Sequence, residues 1–241
     1  MKKINHSSEL LWLLGIVFAA VGVALCNKSE LGVSMIAAPA FIIADALSAV
    51  HPFFSIGVVE YLFQGLLLII LCITIKHFDP KYLLAFLAAV IYGYTLDFFI
   101  FLFRDITVTS IVSKYVLLLV GDVITGFGVC CFFRTYLPVQ VYELFVNQIS
   151  KCYGFRLEKV KRGFDISFLC TAVILVIVLF SHKGDFDPYR LLVASYHNIG
   201  VGTLVTTLIN SYILEFWIKV VDKVFDPTPA FIKLEKLLKA D

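Results

Sequence analysis

The sequence predicts an all-α polytopic membrane protein, and two observations predict this class: the composition and the lengths of the apolar runs. Of the 241 residues, 60% are apolar and 16% are charged, and the mean hydropathy is +0.93. Average soluble domains are about half apolar and about a quarter charged, so one water-soluble core cannot hide this surplus. Nearly uncharged runs of about 20 residues recur, each long enough to cross the ~30 Å hydrocarbon core of a bilayer as a helix.

The charge balance and the motif content exclude several other classes. Twenty Lys and Arg against 18 Asp and Glu give a net charge of +2, which is too balanced for a nucleic-acid-binding surface. The 23 Phe residues exclude disorder, and the six Cys and five His adopt neither a disulfide framework nor a metal-ligand spacing. The sequence contains no phosphate-binding loop and no nucleophile elbow. It therefore predicts a protein that is not an enzyme and has no cofactor or metal.

Six segments have the length and apolar character of full membrane spans. Charged residues bracket nearly all of them, and Tyr and Trp residues lie toward their ends, as interfacial anchors do. In chain order the segments are Leu10–Leu25, Gly57–Ile75, Tyr82–Phe103, Val112–Phe133, Phe164–Phe180 and Gly200–Val221.

Two further apolar segments are too short or too polar to be ordinary spans. Ser34–Val50 contains Pro39 and Asp45, and Pro138–Lys151 contains Gln140, Glu143, Asn147 and Gln148. Such segments exist at membrane depth only where they are buried in protein or line a wet cavity. We predict a half-helix or re-entrant helix in each, with a short tilted span as the alternative.

The chain repeats the order long helix, short polar helix, long helix, long helix. Four residues recur at one constant offset, as the pairs Gly15 and Gly121, Gly22 and Gly128, Leu31 and Leu137, and Val33 and Val139. Near the end of each half, Tyr94–Phe98 matches Tyr212–Phe216. The shared order of these matches predicts a duplication. It divides the chain into a first membrane repeat (1–110), a second membrane repeat (111–222) and a cytoplasmic amphipathic tail (223–241).

The number of true spans sets the relation between the two halves. With six spans each half has three, and the halves lie inverted in the membrane. With eight spans each half has four, and the halves are parallel. The distribution of Lys and Arg does not separate these alternatives, but in both it places the N- and C-termini in the cytoplasm. The polarity of Pro138–Lys151 favours the inverted 3+3 arrangement over the parallel 4+4 arrangement.

Carboxylates inside spans are the candidate functional residues. Each costs about 2.5–3.5 kcal/mol on insertion scales, so it usually faces protein or water. Five fall within predicted spans: Glu60, Asp97, Asp122, Asp165 and Glu215. We expect them to line a solute or ion path together with polar residues of the short segments, which are Asp45, Glu143, Asn147 and Gln148. The alternative is that each carboxylate lies near a helix end at headgroup level and only anchors its helix.

Six short motifs follow one another in order along the chain. They are GVALCNKSELGVS (22–34), SIGVVEYLFQ (55–64), YGYTLDFF (92–99), VYELFVNQISKCYG (141–154), KVKRGFDIS (159–167) and GVGTLVTTLI (200–209). Together they resemble the bacterial YczE/YyaS/YitT family of membrane proteins, over most of residues 10–218. The resemblance implies a bacterial plasma-membrane protein, often described as transporter-like, without an agreed substrate.

The resemblance also implies a set of motif residues in this chain. Carried over by position, they are Gly32, Ser34, Ser55, Gly57, Asp97, Glu143, Asp165, Gly200, Gly202 and Thr203. Met35 follows Ser34 where the family usually has Pro, which is a departure from the pattern. Helix starts near Ser34, Pro138 and Gly200 would lie where a ligand binds. Ser34, Gly200, Gly202 and Thr203 therefore join the expected path residues.

The predicted function is a secondary transporter or permease for an unidentified small solute, with alternating access between the two repeats. The alternative is a non-transporting accessory or regulatory membrane protein that acts through a partner chain. The expected partners are the lipid bilayer and a small solute or ion, with a homo-oligomer left open and nucleic acid excluded. The expected location is the bacterial plasma membrane.

Overall fold

The computed structural model describes residues 8–180 and 198–231, and within these ranges the chain is all-helical. Its helices are α1 (Ser8–Lys28), α2 (Ala38–Ser48), α3 (Ile56–Ile75), α4 (Tyr82–Leu102), α5 (Ile111–Phe132), α6 (Val141–Tyr153), α7 (Leu157–Phe180) and α8 (Val201–Val224). Five are long and apolar enough to cross a membrane, and α8 makes a sixth as a span bent by 43° between Asn210 and Tyr212. The predicted class is confirmed.

The short helices α2 and α6 occupy the two segments that are too short or too polar for spans. They contain 11 and 13 residues, which corresponds to lengths of about 17 and 20 Å. Pro39 lies in the first turn of α2. Backbone N–H groups of a first turn have no acceptor within the helix, so the N–H that proline lacks costs no hydrogen bond there. Gly154 ends α6 with φ at 67°, a left-handed conformation that glycine adopts without strain.

Hydrogen bonds join helix ends at what we call the Ser8 face. Ser8 Oγ donates to Thr135 Oγ1 at 3.2 Å, which links the start of α1 to the end of α5. Arg134 donates two hydrogen bonds of 2.6 and 2.8 Å to the carboxylate of Asp222 in α8. The hydrogen bonds and charge of Asp222 raise the pKa of the Arg134 guanidinium above its ordinary value. This face therefore gathers the start of α1 with the ends of α5 and α8.

The opposite ends of α1 and α5 lie, with the end of α4, at what we call the Lys28 face. Lys28 Nζ donates to Arg104 O at 2.8 Å, which links the end of α1 to the segment that follows α4. Lys114 Nζ in the first turn of α5 lies 2.5 Å from Glu30 Oε2. The Lys28 face therefore gathers the ends of α1 and α4 with the start of α5.

Helices α1 and α5 share the most extensive contact between helices and run antiparallel. A Cβ atom at Gly22 would lie 2.6 Å from Gly121 O, and one at Gly128 would lie 2.9 Å from Gly15 O. The later glycine of α1 thus faces the earlier glycine of α5. Because α1 and α5 are the first helices of the two predicted repeats, the repeats start in opposite directions.

Each short helix returns to the face from which its segment came. Before α2, Val33 N donates to Asn198 O at 3.1 Å, and near the end of α2, Asp45 Oδ2 accepts from Asn198 Nδ2 at 2.6 Å. Asn198 immediately precedes α8 at the Lys28 face. At the end of α6, Tyr153 donates to Thr74 O at 3.0 Å, close to the end of α3 at the Ser8 face. Neither α2 nor α6 crosses from one face to the other.

The packing of the helices falls into corresponding pairs when α5–α8 are matched in order with α1–α4. Helix α1 packs on α4, and α5 packs on α8. Helix α2 packs on α7, and α6 packs on α3. Helix α2 also packs on α3, as α6 does on α7. Each short helix is therefore held partly by the other half of the chain.

The predicted amphipathic tail falls mostly on residues 232–241, which lie outside the described residues. Of its described part, residues 223–231, the first two residues end α8 and residues 226–231 form no helix. Instead they lie against the first turn of α1, where the Glu9 carboxylate accepts hydrogen bonds from Ala230 N at 3.1 Å and Phe231 N at 3.0 Å.

Candidate functional site

A cavity of about 90 Å³ lies where the two halves meet, and we call it the central cavity. Three carboxylates line it, from Glu60 of α3, Asp122 of α5 and Glu143 of α6. Residues of α1, α4, α8 and the loop before α2 complete its walls. Two adjoining cavities of about 50 and 100 Å³ share lining residues with it, and both are lined by Asp165 and Lys161 near the start of α7.

The carboxylates around these cavities carry oxygens that nothing in the described part of the chain satisfies. Glu60 Oε2, Asp122 Oδ2, Glu143 Oε2 and Asp165 Oδ1 are buried without a hydrogen-bond partner. Glu60 and Asp122 are only 2% and 3% exposed. A charged group buried without a partner costs several kcal/mol. Such oxygens fit groups that carry a proton or bind a cation, which is why carboxylates within a membrane indicate a functional site.

Glu60 is oriented by the neighbouring short helix. Its Oε1 accepts a hydrogen bond of 2.9 Å from the hydroxyl of Tyr142, the second residue of α6. Tyr142 and Tyr92 of α4 are both buried and both line the central cavity. One oxygen of Glu60 is therefore tied to α6, and the other remains available to a ligand.

Gln64 fixes the start of α6 beside the cavity. Its Oε1 accepts from Val141 N at 3.1 Å, which satisfies one of the free N–H groups at the start of that helix. Its Nε2 donates to Gln140 Oε1 at 3.1 Å. Gln64 lies one helical turn after Glu60, so both side chains leave α3 on the same side. Together they hold the first turn of α6 against the first half of α3.

Two further expected residues lie in the cavities, and several lining residues were missed. Ser34 lines the central cavity and one adjoining cavity, and Asn147 lines the other adjoining cavity. The energetic cost of inserting an uncharged polar side chain into a membrane is too small to single it out in a sequence. Lys161 gives only the topology signal that it shares with the other Lys and Arg residues. The missed lining and positioning residues are Gln64, Tyr92, Gln140, Tyr142, Lys161, Thr206 and Asn210.

Asp97 of α4 lies away from the central cavity, and its side chain contacts the start of α3. Its Oδ2 accepts from Ser55 Oγ at 2.5 Å and its Oδ1 accepts from Gly57 N at 2.7 Å. A carboxylate at this place is stabilised by the free N–H groups and the positive end of the helix dipole. These contacts give Asp97 a structural reason for its position within a span.

We expect Asp97→Ala to destabilise the chain by about 1–2 kcal/mol, the usual cost of losing a helix cap. Asp97→Asn keeps one acceptor oxygen and should cost less. Thermal unfolding in detergent measures both. Glu215→Ala is the matched control because that carboxylate is exposed and, within the described part of the chain, pairs only with Lys219, at 2.9 Å. Equal unfolding temperatures for Asp97→Ala and the wild type would remove the capping role.

Three other expected residues also lie outside the central cavity. Asp45 is bonded to Asn198 at the Lys28 face. Glu215 is exposed on α8 beside Lys219. Gln148 lines a separate cavity of about 280 Å³ at the Ser8 face, together with Asp79 and residues that precede α6.

Gly200, Gly202 and Thr203 pack against the loop that leads to α2. Gly202 N donates to Leu31 O at 2.8 Å. Gly32 has φ at 110°, and a Cβ atom there would lie 2.5 Å from Thr203 Oγ1 and 2.8 Å from Gly200 N. Backbone therefore meets backbone without space for a side chain, and this contact holds the loop before α2 against the start of α8.

Comparison with known proteins places the chain in a family. Residues 7–219 match the family of unknown function DUF6198. The chain belongs to this family. No curated protein and no solved structure matches the DUF6198 chain. The finer resemblance to the YczE/YyaS/YitT proteins stays a prediction.

The chemistry of the DUF6198 site follows from what lines it. Among the described residues, no three or more His, Cys, Asp or Glu side chains come together as metal ligands. The carboxylates of the central cavity stand on three different helices, α3, α5 and α6. The described lining residues of this cavity include no Lys or Arg. Glu143 also lines an adjoining cavity together with Lys161, whose positive charge therefore lies near one of the three carboxylates.

Proposed function

We propose that this DUF6198 chain is a secondary transporter, a permease for a small solute, that works by alternating access between two inverted halves of three spans each. The observation that carries the proposal is the central cavity, which lies between the halves and presents three carboxylates with unsatisfied oxygens. Solute sites of secondary transporters recur at the interface of repeats, beside the starts of discontinuous helices. Helices α2 and α6 supply two such starts.

The inverted arrangement is supported by the packing of the first helices. Because α1 and α5 are antiparallel and α2 and α6 return to the face they came from, three spans per half fit better than four. Basic residues support a cytoplasmic Ser8 face, since cytoplasmic loops carry an excess of Lys and Arg. Among the described residues, those near the helix ends of this face are Lys76, Lys81, Arg134, Lys151, Arg156, Lys159, Lys161, Arg162, Lys219 and Lys223, against Lys28, Arg104 and Lys114 on the Lys28 face.

The closures around the cavity support a conformation that opens toward the Ser8 face. On the opposite side, Gly32 and Gly202 press the loop before α2 against the start of α8. The adjoining cavities lead toward Lys161, in the second turn of α7. A transport cycle would then separate the loop before α2 from α8 and close the start of α7.

Side-specific labelling tests alternating access without knowledge of the solute. In a chain whose native cysteines are replaced by alanine, Asn210→Cys places a thiol on the wall of the central cavity. We expect a membrane-impermeant cationic methanethiosulfonate reagent to react with it from either side of oriented vesicles. Restoring Cys152, exposed at the end of α6, should give reaction from the Ser8 face alone. Restoring Cys170, exposed at mid-length of α7 where lipid covers it, should give none.

One-sided reaction of Asn210→Cys, with the two controls behaving as stated, would contradict alternating access. That result is the one an accessory protein would give, because a static cavity closed at the Lys28 face admits the reagent only from the Ser8 face.

A further inference from the structure

Carboxylates line the central cavity, and none of its described lining residues is a Lys or Arg. Glu60 and Asp122 are both more than nine-tenths buried, line the cavity and each leave one oxygen unsatisfied. A neutral or anionic solute would leave the negative charges of these carboxylates uncompensated among the helices, which is costly. A cation would satisfy them. This pairing indicates that the solute is positively charged.

We propose that the solute of the central cavity is a small organic cation carrying several N–H groups, of the alkylammonium or guanidinium kind, held between Glu60, Asp122 and Glu143. The proposal rests on the proposed transport function and narrows it to a class of substrate. Charge-assisted N–H···O bonds to carboxylates are among the stronger hydrogen bonds in proteins.

The placement of the carboxylates selects an organic cation over a metal ion. A bound metal ion needs several ligand atoms at about 2.0–2.6 Å from one point. The described residues contain no such convergence of three or more acidic, His or Cys side chains. The N–H groups of an organic cation point in different directions, and each reaches an oxygen about 2.7–2.9 Å from its nitrogen, so the cation can pair with carboxylates that stand on α3, α5 and α6.

The remaining walls fit the rest of such a molecule. A volume of about 90 Å³ gives roughly the room of a few water molecules, which admits a cation of few heavy atoms. The aromatic rings of Tyr92 and Tyr142 are surfaces that favour a positive charge. Ala19, Val23 and Val33 supply an apolar wall for a short alkyl group.

The way out toward the Ser8 face carries one negative and one positive charge. Asp165 lines both adjoining cavities and keeps one oxygen without a hydrogen bond. Lys161, one helical turn earlier, lines the same cavities. A departing cation therefore passes the carboxylate of Asp165 and then the ammonium of Lys161.

Thermal unfolding of the full chain in detergent, with added probe ions, tests the proposal. We expect millimolar ethylammonium or guanidinium to raise the unfolding temperature by several degrees with saturation. Urea, the neutral isostere of guanidinium, and tetramethylammonium, which lacks N–H groups, should leave it unchanged. Glu60→Gln and Asp122→Asn should each weaken binding at least tenfold. Glu215→Gln, whose carboxylate is exposed on α8, should bind as the wild type does.

The two neutralised variants are chosen to fold. Glu60→Gln keeps an oxygen for the hydroxyl of Tyr142, and Asp122 Oδ2 has no hydrogen bond to lose. Wild-type affinity in both variants, equal shifts with urea and guanidinium, or a shift with K⁺ or Mn²⁺ in place of the organic ions would overturn the proposal. Two-sided labelling of Asn210→Cys without binding of either organic cation would overturn it and leave transport standing. Binding with one-sided labelling would leave the cation site and remove transport.

Discussion

Gly22→Ala is expected to lower the unfolding temperature of the chain by roughly 3–10 °C. The new methyl group would lie 2.5 Å from Thr125 N and 2.6 Å from Gly121 O, which are backbone atoms of the facing helix. Backbone cannot turn aside as a flexible side chain does, so α1 and α5 have to separate. Overpacking of this kind costs about 1–3 kcal/mol, and 1 kcal/mol shifts the midpoint by roughly 2–4 °C for a chain of this size.

A matched glycine in α7 controls for the change in helix propensity. A Cβ atom at Gly163 meets nothing within 4 Å, so Gly163→Ala gains about 1 kcal/mol of helix propensity without a clash. Scanning fluorimetry in detergent compares both variants with the wild type. If the two alanines shift the unfolding temperature in the same direction, close packing between α1 and α5 is not what requires glycine.

Gln64→Leu is expected to detach the start of α6 from α3. The substitution leaves Val141 N and the Gln140 amide buried without their partner. Each unsatisfied group costs about 1–3 kcal/mol, so we expect a total loss of roughly 2–5 kcal/mol. Hydrogen exchange followed by mass spectrometry should show faster exchange in residues 138–146, together with a lower unfolding temperature.

Gln148→Leu is the control for this experiment, because Gln148 lies on the same helix but lines the separate cavity at the Ser8 face. Gln64→Glu is the conservative variant, since a glutamate keeps an acceptor for Val141 N. Unchanged exchange around α6 in Gln64→Leu would show that packing against α3, and not the amide contacts, holds the short helix in place.

The helices and their classes could be predicted from the sequence because the bilayer imposes simple limits. A run of about 20 apolar residues fits the hydrocarbon core, and the 11 residues of α2 do not. The start of α7 was less visible. Residues 157–163 carry several charges, and their helix extends beyond the apolar part of the span as far as Leu157.

The candidate site could be predicted only in part, because the cost of burying a carboxylate is the same whatever satisfies it. Glu60 and Asp97 gave equal signals along the chain. The structure gives one a tyrosine hydroxyl and a free oxygen, and the other the start of a neighbouring helix. Gln64 gave no signal, since its role depends on the depth at which α6 begins, and that register is set between distant segments.

The different partners of the two short helices have a consequence for biosynthesis. Helix α6 packs on α3, which has already left the ribosome when α6 is made. Helix α2 packs on α7, which is made more than a hundred residues later. After the first half has been inserted, α2 therefore lacks its contact with α7. It gains this contact only when the second half has been inserted into the membrane. We expect the two re-entrant helices to reach their places in the reverse order of their synthesis.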